Sequence, residues 1–314
     1  NAHGIAYHEK KLGQLFCDHS AQDIVDMLLD EAAKAGVQIR LKSEVCKVIP
    51  DASGFRVNVT KSTGKTAIDT YALDAPRVVL ASGGLSLPKI ASDLAYRTAR
   101  ELGVSVVAPS PALVPLTWNN ADKAEFAELS GVAVDCEISS SGQSFRENLL
   151  FTHRGLSGPA ILQASSYWHP GEDVNINLLP EHDVLAWLHQ MRQDRGKILL
   201  SNALKGLLPN RLVEAVIDRW FDDQTLGDMS AAQCEQVARQ LQAWRFRPGG
   251  TEGYRTAEVT LGGLATTEFS SKSFEAKNYP GLYAIGEALD VTGWLGGYNF
   301  QWAWASGYCC AKQL

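Results

Sequence analysis

Y-P-G-L-Y-A-I-G-E-A-L-D-V-T-G-W-L-G-G-Y-N-F-Q-W-A-W-A-S-G-Y, Tyr279 to Tyr308, carries a turn, a strand, an acidic strand exit, a glycine pair and a helix start in one segment. Pro280-Gly281 is a turn, and Leu282, Tyr283, Ala284 and Ile285 form a short apolar run of the kind buried on both faces of a parallel sheet. Gly286 and Glu287 fall at the carboxyl end of that strand, where open α/β sheets bind ligands. After Asp290, Thr292 and Gly293, the pair Gly296-Gly297 lets backbone approach a bound group. Asn299 to Tyr308 then reads as a helix whose free N–H groups and positive dipole end face the site. This is a cofactor-binding strand-loop-helix, and it predicts an α/β fold.

The same pattern recurs upstream. An apolar strand from Arg77 to Ala81 runs directly into Ser82-Gly83-Gly84. Ahead of it, Ser20 and Asp23 resemble a capping box that opens a helix from about Ala21 to Ala35, closed by Gly36. Val37, Ile39 and Leu41 alternate with polar residues as a strand would, with Glu44-Val45 at its exit. A meander follows: Phe55 to Thr60, a turn at Ser62 to Gly64, and Thr66 to Leu73. Pro109, Pro111 and Pro115 then mark a domain crossing.

Residues 111–180 read as an inserted β-rich lobe with strands at Val132 to Ile138 and Val174 to Leu178, and a short helix opened by Ser157-Gly158-Pro159. Residues 181–256 have helical spacing, as in Leu185, Leu188 and Met191, and in Leu212, Val213, Val216, Ile217 and Trp220. The strand Thr256 to Thr260 returns the chain to the sheet, so residues 1–110 and 257–314 form one interrupted domain.

With 314 residues, 45% of them hydrophobic and 20% charged, the chain can bury a substantial core divided into two or three lobes. No apolar run reaches the length of a membrane span, and Asn1 to Lys11 do not form a signal peptide, so a cytoplasmic protein with no membrane partner is expected. The net charge of −6, with acids and bases interspersed and no basic stripe, argues against a nucleic-acid partner. The six cysteines include no C-x-x-C pair, so they are expected to be reduced, mostly buried thiols and no metal site is expected. None of the 27 glycines forms a G-x-G, which excludes the dinucleotide fingerprint G-x-G-x-x-G from this chain.

Five ordered blocks are similar to those of one bacterial family of NAD(P)/FAD-dependent oxidoreductases, the family that includes aminoacetone oxidase and bile-acid dehydro-reductase-like flavoproteins. They are S-G-G-L-S-L-P-K-I-A-S-D from Ser82, S-P-A-L-V-P-L from Ser110, L-F-T-H-R-G-L-S-G-P from Leu150, A-E-V-T-L-G-G from Ala257, and Pro280 to Tyr308. The resemblance implies a Rossmann-like FAD-binding domain interrupted by a β-barrel-like lobe and a helical lobe. It also implies an initial strand, G-x-G-x-x-G turn and helix that hold the ADP pyrophosphate. As Asn1 aligns downstream of that unit, the chain is expected to be an N-terminally truncated fragment whose FAD domain is incomplete.

On this resemblance, Glu287 accepts hydrogen bonds from the ribityl chain or reaches toward the pyrophosphate, with Gly286 beside it. Gly296, Gly297, Tyr298, Asn299 and Gln301 lie against the isoalloxazine ring, where a helix N-terminus stabilises charge on the reduced flavin. Ala81, Ser82, Gly83 and Gly84 pass close to the ribityl and pyrophosphate portion, and Val45 meets the adenine edge with its backbone. Trp294, Trp302 and Trp304 read as core fillers. For catalysis the sequence is poor in candidates: His153 and Arg154, beside a glycine-rich turn in the inserted lobe, are the catalytic candidates, expected to face the flavin across a cleft and bind an anionic or carbonyl substrate.

The function expected is FAD-dependent oxidoreduction of a small organic substrate by hydride transfer through flavin N5, with NADH or NADPH as a possible donor. A flavin-binding or interaction module without turnover is the alternative. A flavoprotein that modifies nucleic acid is the second rival, disfavoured by the acidic charge balance.

Overall fold

The computed structural model describes residues 2–10, 13–62 and 68–314. Its contacts divide the chain into two units. The first comprises Asn1–Gly83, Asp93–Val107 and Leu264–Leu314, and the second Gly84–Ser92 and Ala108–Gly263.

The first unit starts with a small antiparallel pair, β1 (Tyr7–Glu9) and β2 (Leu15–Cys17), followed by α1 (Gln22–Lys34). The Ser20 hydroxyl accepts from the Gln22 N–H at 3.1 Å, so Ser20 does brace this helix start, although not through Asp23. No α1 residue is buried. Strands β3 (Ser43–Asp51), β4 (Gly54–Ser62) and β5 (Ile68–Ala75) form the antiparallel meander, in the order β3-β4-β5. Residues 63–67, which hold most of the expected turn and the start of its second strand, lie outside the described residues, as do Asn1, Lys11 and Leu12.

Val37, Ile39 and Leu41 do not form the expected strand: they are exposed, and the strand begins at Ser43. Alternation fits a half-buried strand only where a neighbour takes up the backbone hydrogen bonds, and among the described residues none pairs there.

Strand β6 (Val78–Leu80) and helix α2 (Leu94–Glu101) complete this part. The chain then leaves along β7 (Val106–Ala112).

The second unit contains β8 (Leu116–Thr117), α3 (Asn120–Phe126), β9 (Ala133–Ser140), β10 (Gln143–Phe151), β11 (Gly155–Ser157), α4 (Pro159–Ser165) and β12 (Val174–Asn177). These are followed by α5 (Val184–Arg195), α6 (Leu200–Leu204), α7 (Asn210–Trp220), α8 (Ala231–Gln242), β13 (Trp244–Phe246) and β14 (Gly250–Thr251). Pro159 occupies the first turn of α4, as its missing N–H favours. Ser230 and Gln233 form a reciprocal capping box on α8.

Seven strands of this unit join in the order β13-β12-β9-β10-β11-β8-β14. The two outermost strands, β13 and β14, are separated only by residues 247–249, which reach at most about 14 Å. The sheet therefore has to curl until its two edges come within that reach of each other, which gives it the form of a barrel. Its apolar core is continuous with that of the helices. Trp118, Phe126, Phe151, Trp220, Trp244 and Phe246 pack together there, with ring centroids 5.3 Å apart for Phe126–Trp244 and 5.4 Å for Trp220–Trp244. Such pairs add about 0.5–1.5 kcal/mol each beyond the area they bury.

Strand β15 (Val259–Leu264) pairs with β7 and leads back to β16 (Leu282–Ala284) and α9 (Tyr298–Ala311) in the first unit. The fold is thus mixed α/β with a barrel. Among the described residues no helix is long and apolar enough to cross a membrane.

Candidate active site

Strand β16 pairs in parallel with β6, with Val78 opposite Leu282, Val79 opposite Tyr283 and Leu80 opposite Ala284. All three β16 residues are buried, as their apolar run requires. Gly281 sets the register: its carbonyl accepts from the Val78 N–H at 2.8 Å. A Cβ at Gly281 would lie 2.5 Å from the Pro76 carbonyl oxygen, and its φ of 87° favours glycine as well. The pairing brings two strand exits far apart in sequence side by side. Ala81, Ser82 and Gly83 follow β6; Ile285, Gly286 and Glu287 follow β16, and the Ile285 N–H donates to the Leu80 carbonyl at 3.1 Å. Gly84 continues the first turn and belongs by its contacts to the second unit. There the Thr260 hydroxyl accepts from the N–H groups of Leu85 and Ser86 at 2.8 and 3.1 Å.

Helix α9 is locked onto the β16 exit. The Gly286 N–H donates to Ser306 Oγ at 2.9 Å, Ser306 donates to the Trp302 carbonyl at 2.7 Å, and Trp302 Nε1 donates to the Gly286 carbonyl at 3.0 Å. Both backbone polar groups of Gly286 are thereby satisfied from one helix face. Trp302 is half-buried, while Trp294 and Trp304 are exposed, contrary to the expectation that all three fill core. Trp304, two residues beyond Trp302, falls on a different face of the helix, because only positions three or four apart share one.

The start of α9 has the expected form. Gly297 adopts the left-handed conformation with φ of 89°, and the helix has no side-chain N-cap. The space a Cβ would fill at Gly297 or at Gly83 is open. Asn299 does something sequence reasoning missed: its side chain accepts from the Gly293 N–H at 2.8 Å and donates to the Gly293 carbonyl at 3.0 Å, tying the loop to the helix. Tyr298 and Gln301 are exposed on the first turn, and Glu287 is half-buried in the 3-10 turn Gly286–Ala288. Val45 lies at a β-bulge in β3, and its carbonyl accepts from Arg97 Nη2 at 3.3 Å. Among the described residues, the buried hydroxyl of Ser82 has no hydrogen-bond partner.

His153 and Arg154 form the exposed tip between β10 and β11, in the second unit. Their backbone is braced by the Thr152 hydroxyl, which accepts from the N–H groups of Arg154 and Gly155 at 3.2 and 3.1 Å. No cluster of three or more metal-binding side chains occurs among the described residues. The six cysteines are unbridged: Cys136, Cys234 and Cys310 are buried, Cys17 is half-buried, and Cys46 and Cys309 are exposed.

Residues 110–259 match the model of the HI0933-like protein barrel and H2TH domain. Over 317 aligned residues the chain is 50% identical to the ribosomal RNA dihydrouridine synthase of Escherichia coli (strain K12), covering 100% of this chain and 77% of that protein. The chain belongs to the ribosomal RNA dihydrouridine synthase family. The Haemophilus influenzae synthase of the same name is 45% identical, with 99% of this chain and 77% of that protein covered. A 3-dehydro-bile acid delta(4,6)-reductase of Clostridium scindens is more distant, at 28% identity over 88% of this chain and 71% of its own length.

The bile-acid reductase side of the expected resemblance is therefore present, but the higher identity lies with the synthases. Membership in their family overturns two expectations drawn from the sequence, a small organic substrate and the lack of a nucleic-acid partner. The charge argument failed because net charge sums every carboxylate equally, whether it faces solvent or not.

Proposed function

We propose that this protein is an enzyme that reduces uridine to dihydrouridine in ribosomal RNA, using a flavin held by the first unit. The substrate reading rests on the two synthases at 45% and 50% identity. The cofactor reading rests on one observation above others: two glycine-bearing strand exits lie side by side on a parallel strand pair, and the buried Ser82 hydroxyl there has no partner among the described residues. Open α/β sheets bind ligands at such strand exits, and an unsatisfied buried hydroxyl is costly unless a ligand group meets it.

We read residues 1–110 and 257–314 as a Rossmann-like FAD-binding domain, with an inserted barrel made of residues 111–180 together with β13 and β14, and an inserted helical lobe that holds α5 to α8; the barrel thus takes back residues 244–251, which the sequence had put with the helices. In that reading Ser82 hydrogen-bonds the cofactor, Gly83 lets the chain run close to it, and Glu287 accepts from its ribityl hydroxyls. The N-terminus of α9, which lacks a side-chain cap, would turn its positive end, from Gly297 through Gln301, toward the ring of a bound flavin. Bound flavin supplies a two-electron hydride donor that NADH or NADPH can recharge. Adding hydride and a proton across the uridine C5–C6 double bond gives dihydrouridine.

The test is anaerobic. The flavin absorbance of the purified protein is bleached with NADPH or NADH, and ribosomal RNA lacking dihydrouridine is then added. Return of the oxidised spectrum with RNA, and not with buffer, is expected; a spectrum that stays bleached would sink the proposal.

A further inference from the structure

The second unit holds two clusters in which a pair of exposed arginines shares one shielded carboxylate. Arg154 Nη1 and Arg255 Nη2 both approach Glu252 Oε2, at 3.5 and 3.1 Å; the arginine side chains are 58% and 59% exposed and Glu252 only 10%. Arg245 and Arg247 both bind Asp173; they are 72% and 64% exposed and Asp173 only 15%. In the other ion pairs seen among the described residues the carboxylates are 41–76% exposed. Elsewhere, then, an anion faces solvent beside its cation. In these two clusters solvent meets two guanidinium groups, and the carboxylate lies beneath them. Each cluster carries a surplus positive charge.

The two clusters lie close along the closing seam of the barrel. Trp118 donates its backbone N–H to the Arg154 carbonyl at 2.9 Å, and the next residue, Asn119, donates its side-chain amide to the Arg247 carbonyl at 2.9 Å. Arg245 lies within β13 and Arg247 just beyond it, while Glu252 and Arg255 follow β14, the strand on the other side of the seam. The anchoring carboxylates restrain the side chains, so less rotamer freedom is lost when an anion binds. Planar guanidinium groups suit the paired oxygens of a phosphodiester. Because Arg247 holds it, the Asp173 carboxyl is kept below the usual carboxylate range and stays ionised as an anchor.

We infer that this seam is the RNA-contacting surface of the second unit, with Arg154, Arg255, Arg245 and Arg247 binding backbone phosphates. The inference rests on the proposed RNA substrate and names the part of the protein that holds it. Such contacts position the RNA and carry no sequence information.

The experiment measures binding of a labelled stem-loop RNA from the ribosome by fluorescence anisotropy across a salt series. Arg154→Gln/Arg255→Gln and Arg245→Gln/Arg247→Gln are each expected to weaken binding about tenfold near 0.1 M salt, and to lower the salt slope by about one for each phosphate no longer neutralised. Glu252→Gln removes the anion and leaves both cations, so it is expected to bind RNA as tightly or more tightly. Thermal melting of every variant accompanies the binding. If Glu252→Gln weakens binding as the arginine changes do, the cluster is structural and the inference falls. It also falls if folded arginine variants bind with unchanged affinity and slope.

Dihydrouridine formation by the unaltered protein is measured in parallel by mass spectrometry. No product, with binding lost in the arginine variants and kept in Glu252→Gln, would overturn the proposed reaction and leave the phosphate surface standing.

Discussion

Two serines of the first unit make opposite predictions. Ser306 satisfies the buried Gly286 N–H and the Trp302 carbonyl at the same time. Ser306→Ala leaves that N–H without its acceptor, and an unmet buried donor costs about 1–3 kcal/mol, to be read as a lower urea midpoint. Ser82 has a buried hydroxyl with no partner among the described residues. Ser82→Ala is therefore expected to leave the flavin-free protein as stable as before or slightly more so, while flavin binding weakens about three- to tenfold in a fluorescence titration. Equal flavin affinity in the variant would remove Ser82 from the site.

Cys136 is fully buried, and burial pushes its thiol up to about 12. It is expected to resist alkylation by a maleimide at pH 8 until the protein unfolds, whereas exposed Cys46 and Cys309 react at once. At this scale the places of Gly286 and Gly297, just past a strand and just ahead of a helix, were legible in the sequence, since both backbone positions have the positive φ that favours glycine. Ser306 and Arg97 were not, because their roles exist only once α9 meets β16 and α2 meets β3.

Strand β16 and helix α9 could be read directly: a four-residue apolar run and a glycine-opened aromatic helix leave little alternative. What the sequence could not show is that β16 lies next to β6, some 200 residues away, which is a fact of pairing and not of pattern. The Val37 to Leu41 run shows the converse, a strand pattern with no neighbour to pair with. Gly281 tests the pairing. In Gly281→Ala a methyl would be driven toward the Pro76 carbonyl oxygen in a backbone conformation that alanine resists. A loss of about 1–3 kcal/mol in chemical denaturation is expected. An unchanged midpoint would mean that β6 and β16 do not pair in this register.

The whole molecule carries a net charge of −6, and that sum hid the way its charges are arranged. Asp173 and Glu252 count against Arg245, Arg247, Arg154 and Arg255 in composition, yet solvent meets mainly the arginines. The anchoring has a pH signature. The Asp173 carboxyl is held low in the folded protein, chiefly by its hydrogen bond from Arg247, so the stability it provides is present above its unfolded pKa of about 4 and is lost as pH falls through the folded value. The melting temperature should drop below about pH 4, and Asp173→Asn should flatten that drop while lowering stability at neutral pH.

The proposed reaction takes place on RNA, and its product can be weighed. The flavin-loaded protein is incubated with NADPH or NADH and ribosomal RNA free of dihydrouridine, and the RNA is then digested for nucleoside mass spectrometry. Dihydrouridine is expected at the expense of uridine, dependent on both the flavin and the reductant. Unaltered uridine, while the same preparation oxidises or reduces a small organic substrate, would contradict a reaction on RNA.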